Sequence, residues 1–217
     1  MSNQQPQLVS SNTIKQLIGW TALLFPALLI ILSFASGRCE SVQETISHYY
    51  YSIVGNVFVG ALSTISILLI IYKGYPNSQD FIVTTIAGIG GLGVAMFPTT
   101  IPCDLSGCIV VSLNDVDVST IHYISALIMF AALAYMCLVL FRKKSANPTN
   151  QKITRNWIYL INGILIVLSI IAIYLFQTMW DAEKLCNTKI VLILEWVALA
   201  NFGFSWMVKG GLFLKDK

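Results

Sequence analysis

The stretch RKKSANPTNQKITR, residues Arg142–Arg155, separates two long apolar runs and contains Arg142, Lys143, Lys144, Lys152 and Arg155 with no acid among them. Short cation-rich loops between membrane segments stay on the cytoplasmic side, so this stretch marks the inside of a membrane protein. The rest of the chain takes its orientation from it. Of 217 residues, 56% are hydrophobic and 11% charged, against about 25% charged residues in an average soluble domain. A soluble fold is therefore not expected.

The apolar residues gather into six runs, at 14–36, 52–72, 81–98, 119–141, 157–177 and 189–208. Each approaches the ~20 residues needed to cross ~30 Å of hydrocarbon. The sequence thus predicts an all-α, polytopic integral membrane protein with six transmembrane helices and both termini cytoplasmic. Residues 1–13 are expected to be a flexible tail, 14–210 a single six-helix domain, and 211–217 a second cytoplasmic tail. A cleavable signal peptide ending at SFAS before Gly37 is the alternative for the N-terminus, although its apolar run exceeds the usual ~7–15 residues.

With the basic loop inside, Lys15, Lys73, the five loop cations, Lys209, Lys215 and Lys217 all fall inside, ten of thirteen basic residues. Only Arg38, Lys184 and Lys189 fall outside. Cations spread over short flanking loops give no basic face for nucleic acid. Four cysteines, Cys39, Cys103, Cys108 and Cys186, fall in the outer loops, and Cys137 lies in a span. Four thiols on one side predict an oxidising compartment and two disulfides. The closeness of Cys103 to Cys108 favours one bridge there and another between Cys39 and Cys186, with all three connectivities open. The same spacing differs from the C-x-x-C of redox-active pairs, so thiol chemistry is not favoured. The acids of the second outer loop, Asp104, Asp115 and Asp117, lack the spacing of a calcium-binding hand.

Along the spans, Pro26 should kink the first. Tyr49, Ser52, Asn56 and Ser63 recur at helical steps and predict an inward polar face on the second. In the third, Ala87, Gly91 and Ala95 form a small-x-x-x-small packing pattern, and Pro98 and Pro102 should end it. A phosphate-cradling glycine loop is not favoured, because no strand precedes these glycines and no Lys-Ser/Thr follows. Ser119 or Thr120 is the expected cap of the fourth, which carries His122. The sixth holds Glu195, the one acid well inside a run, six residues or roughly 9 Å beyond Lys189. Glu195 shares its arc of the helix with Asn201.

A carboxylate in hydrocarbon costs a few kcal/mol and usually faces a partner or a watery cavity. Glu195, His122 and His48 all come to outer helix ends, beside Tyr50. An outward-facing polar pocket follows, with Glu195, His122, His48, Tyr50, Asn56 and Asn201 as candidate ligand-binding residues. Its expected occupant is a lipid-like or small amphipathic ligand, and membrane lipids are the expected partners. Two alternatives stand beside it: a purely structural or partner-binding membrane protein, and a metal-dependent hydrolase using His48, His122 and Glu195. No close-spaced pair of metal ligands supports the last, so no metal, cofactor or catalytic residue is assigned. Whether the protein is an enzyme, and its oligomeric state, stay open at this point. Transport lacks the internal repeat and paired broken helices of inverted-repeat carriers.

SHYYYS, NVFVGAL, the KGY turn, AGIGGLGVAMFPT, IHYISA and the terminal FGFSWMVKG together resemble an uncharacterised bacterial family of six-span membrane proteins classed as a domain of unknown function. The resemblance spans residues 46–210. It implies the six-span architecture and a bacterial inner membrane, and it transfers no catalytic residue.

Overall fold

The computed structural model describes residues 9–75, 78–100, 108, 118–143 and 146–215. Among these the chain is all-helical: α1 (Ser11–Ala35), α2 (Gly55–Ile71), α3 (Asp80–Met96), α4 (Ser119–Tyr135), α5 (Asn150–Met179), the short α6 (Ala182–Cys186) and α7 (Ile190–Lys209). A 3-10 turn, Ser47–Tyr51, precedes α2, and a π segment, Met136–Leu140, prolongs α4. Four helices, α1, α4 with its π segment, α5 and α7, are long and apolar enough to cross a membrane. They mark the chain as a membrane protein. The remaining two apolar helices, α2 and α3, have 17 residues each.

Their ends explain that shortness. The six residues before Gly55 do not extend α2, because 47–51 turns as a 3-10 helix and Ser52 is extended. Helix α3 stops at Met96, since Phe97 takes the extended backbone (φ −108°, ψ 119°) that a residue before proline prefers. Elsewhere polar caps lengthen helices beyond the apolar runs. Ser10 accepts the Thr13 N–H, so residues 11–13 belong to α1 rather than to a free tail. Thr149 accepts the Lys152 N–H, so Lys152 and Arg155 ride on α5 and the basic connection is shorter than the expected 142–155 loop. Val118, not Ser119 or Thr120, takes the N-cap position of α4.

The six long helices form a closed ring in chain order: each packs on its neighbour, and α7 returns to α1. Glycine sets three of the closest approaches. A methyl group at Gly203 on α7 would stand 2.7 Å from the Gly19 carbonyl oxygen on α1. On α3, a methyl at Gly88 would stand 2.5 Å from the Ser66 carbonyl oxygen of α2, and one at Gly90 would stand 2.9 Å from the Ser125 carbonyl oxygen of α4. Gly88 and Gly90 thus lie on different sides of α3, and of the expected Ala87, Gly91 and Ala95 set, Gly91 stands against the Ser66 side chain of α2.

The ring has two ends. At one, the segment 37–54 folds back into the mouth and buries Gln43, Glu44, Ile46, His48, Tyr49 and Tyr51. A disulfide joins Cys39 to Cys108 there, 69 residues apart. This overturns the expected Cys103–Cys108 and Cys39–Cys186 pairs. Sequence proximity favoured the five-residue loop, but folding carries Cys39 to Cys108, where the Ile53 N–H also donates to the Cys108 carbonyl. Cys186 is itself disulfide-bonded, and Cys103 lies outside the described residues, as do Asp104, Asp115 and Asp117. At the other end gather Lys15, Tyr72, Tyr75, Asp80, Lys143 and Lys209 over the aromatic cluster of Trp206, Phe141, Phe202 and Tyr159.

Candidate functional site

At the disulfide end, Glu195 on α7 faces the first turn of the 3-10 segment. Its Oε2 accepts the Ile46 backbone N–H at 2.5 Å, and its Oε1 lies 3.5 Å from the Ser47 hydroxyl. The same hydroxyl lies 3.2 Å from Nε2 of His122 on α4. The other ring nitrogen, Nδ1, is 2.8 Å from the Phe97 carbonyl oxygen, which can only accept. Nδ1 therefore carries the proton and Nε2 is an acceptor, so the single Ser47 proton faces two acceptors, Nε2 and the Glu195 carboxylate. One hydroxyl thus links α4, the re-entrant segment and α7.

A second cluster lies beside it on the same segment. Glu44 is buried; its Oε2 pairs with His48 Nδ1 at 3.2 Å and its Oε1 with Lys189 Nζ at 2.8 Å, while its backbone carbonyl accepts the Leu192 N–H at 3.0 Å. Burial pushes the Glu44 carboxyl up, but the His48 and Lys189 hydrogen bonds outweigh it and hold the group down to about 2. Both clusters fasten 44–48 to the first turn and a half of α7.

Of the residues named from sequence, Glu195 and His122 meet at Ser47, and His48 lies one residue away in the Glu44 pair. The others stand apart. Tyr50 is half-buried and packs edge-on against Tyr51 and Phe58, at 5.5 and 6.2 Å between ring centres. Asn56 is exposed near the start of α2, because the 3-10 turn breaks the helical register that would have joined it to Tyr49 and Ser52. Asn201 donates to the Val197 carbonyl of its own helix at 2.7 Å. Ser47, Glu44 and Lys189 went unrecognised. Only their nearness to His48 and Glu195 in sequence signals them, and that signal is weak.

Chemically, the set offers a carboxylate, a hydroxyl and a neutral imidazole in series. A serine beside an imidazole nitrogen resembles the nucleophile and base of acyl transfer. The carboxylate, however, stands on the serine side, and the Phe97 carbonyl takes the orienting place beyond the ring. Glu195 and His122 meet at Ser47 while His48 pairs with Glu44, and no group of three His, Cys, Asp or Glu side chains converges as a metal-ligand set among the described residues.

No known family model matches the chain, and no curated protein or solved structure is significantly similar to it. Ring order, polar clusters and apolar helix lengths together define the class: an all-helical membrane protein closed at one end by its own re-entrant segment.

Proposed function

We infer that the chain is a six-span protein of the bacterial inner membrane, with both termini inside and the disulfide end outside. Its outer site takes the polar head of a lipid-like or small amphipathic ligand through Glu195, Ser47 and His122. The single observation supporting this is the Ser47 hydroxyl shared between a carboxylate on α7 and an imidazole on α4. Both groups accept, and the hydroxyl has one proton to give; a ligand head with two donors would replace it and satisfy both. The six-span count is supported by the closed ring, in which α2 and α3 pack as equals of the longer helices. At ~1.5 Å per residue their 17 residues reach roughly 26 Å, a span that modest bilayer thinning accommodates.

A structural reading has its own support: Glu195, Ser47 and His122 already find partners within the chain. In that case the cluster pins the plug and binds nothing. Native mass spectrometry of wild type and Glu195→Ala after gentle extraction separates the two. Loss of a co-purified amphipathic species in the variant supports binding; identical spectra, with reduced thermal stability in Glu195→Ala, support the clamp. Orientation is tested by single cysteines at the exposed positions Ala146 and Glu183. Labelling of the first only after permeabilisation, and of the second in intact cells, is the expected pattern.

A further inference from the structure

Among the described residues, the lysine end sets three ammonium groups against one carboxylate, Asp80. Lys209 Nζ lies 5.1 Å from the centre of the Tyr75 ring and 5.3 Å from that of Phe141. Lys143 Nζ lies 5.4 Å from the same Tyr75 ring, and Lys15 Nζ 6.0 Å from Tyr72. Tyr72 and Phe141 both pack edge-on against Trp206, at 5.0 and 5.5 Å. Three ammonium groups from α1, the end of α4 and the end of α7 therefore stand over one aromatic floor.

Asp80 is the carboxylate that faces them, and it is already engaged. It binds Lys143 at 3.0 and 3.2 Å and accepts the Tyr75 N–H at 3.1 Å. Lys15, buried to 7% exposure, donates to the neutral Asn12 side chain at 3.1 Å. Lys209 has neither a hydrogen bond nor an ion pair among the described residues; its contacts are the two rings. Aromatic faces attract an ammonium but leave its charge in place. A half-buried cation whose nearest carboxylate, Asp80, is bound to another lysine is costly, and at a membrane surface the abundant counter-ion is a headgroup phosphate.

We propose that the mouth formed by Lys15, Lys143, Lys209 and Tyr75 binds a phosphate group, and that the phosphate belongs to an anionic phospholipid of the adjoining leaflet. Phosphate oxygens accept from several ammonium donors at once, which suits lysines arriving from three elements. The neighbouring chain suits a lipid rather than a free anion: after the left-handed turn at Gly211, Leu212, Phe213 and Leu214 stay exposed at this end, beside the polar mouth. This site is separate from the Ser47 site and does not depend on it. It uses the inward orientation of the lysine end only to name the leaflet.

The test is lipid retention in native mass spectra of the delipidated protein titrated with phosphatidylglycerol, phosphatidylcholine or inorganic phosphate at fixed ionic strength. Wild type should retain phosphatidylglycerol about tenfold better than phosphatidylcholine. Lys209→Gln should lose most of that preference and Lys209→Arg should keep it, while Lys184→Gln at the opposite end should bind as wild type. Equal retention of the two lipids by folded wild type overturns the proposal, as does an unchanged preference in folded Lys209→Gln. Because the first comparison needs no variant, a misfolded Lys209→Gln leaves the proposal open to refutation. Thermal stabilisation by inorganic phosphate alone, equal to that by phosphatidylglycerol, overturns the lipid assignment.

Discussion

The carboxylate of Glu195 accepts the backbone N–H of Ile46, 149 residues earlier in the chain, and so ties the last helix to the segment that closes the ring. A side chain that satisfies a main-chain donor this way is hard to replace. With Ala at 195 the Ile46 N–H loses its partner, at a cost of about 1–3 kcal/mol. Gln keeps an acceptor there. Glu195→Ala should therefore melt well below wild type in detergent, and Glu195→Gln should recover at least half the difference, as followed by a thermofluor or circular-dichroism melt.

Acid should loosen the second cluster. The Glu44 carboxyl is held below its ordinary range, down to about 2, so the folded state binds fewer protons than the unfolded one. Its contribution is then fully present above the unfolded value, ~4.3, and lost as pH falls from there toward 2. The difference in melting temperature between wild type and Glu44→Gln should be constant from pH 7 to 5 and shrink between pH 4.5 and 2. A difference that stays flat across that window would remove Glu44 from the account.

Peptide mapping without reductant should recover a Cys39–Cys108 cross-link. Cys39→Ser should cost about 2–4 kcal/mol, the usual range for a long closed loop. Reducing agent should lower the wild-type melting temperature more than that of Cys39→Ser.

Helix contact through glycine gives a sharper steric prediction. A Cβ at Gly203 meets the Gly19 carbonyl oxygen at 2.7 Å and the Leu23 backbone nitrogen at 3.0 Å, both backbone atoms that cannot swing away. Gly203→Val should abolish accumulation of folded protein, or cost more than the 1–3 kcal/mol of ordinary overpacking. At Gly60 nothing lies within 4 Å. Gly60→Ala should be neutral or stabilising by up to about 1 kcal/mol. Size-exclusion profiles of the two variants provide the comparison.

The basic run after the fourth apolar segment, the six hydrophobic stretches and the glycine spacing of α3 were each readable in one dimension. They depend on local composition and on the period of the helix, and the all-helical fold with apolar helices of spanning length follows from them. Helix limits were less legible, because Ser10 and Thr149 lengthen α1 and α5 through caps that lie in polar sequence. Glu195 and His122 could be singled out because polar groups are conspicuous in apolar runs. That Ser47 joins them could not.

What the sequence determined by itself is the class: long apolar helices, an embedded acid and an uneven distribution of cations, all consequences of which residues tolerate hydrocarbon. Tertiary structure alone decided the partners. It folded 37–54 into the mouth, paired Cys39 with Cys108 instead of leaving Cys108 to its sequence neighbour, and set Lys209 against two rings. Such contacts arise where segments far apart in the chain close a ring, and no local pattern of residues encodes the distance between them.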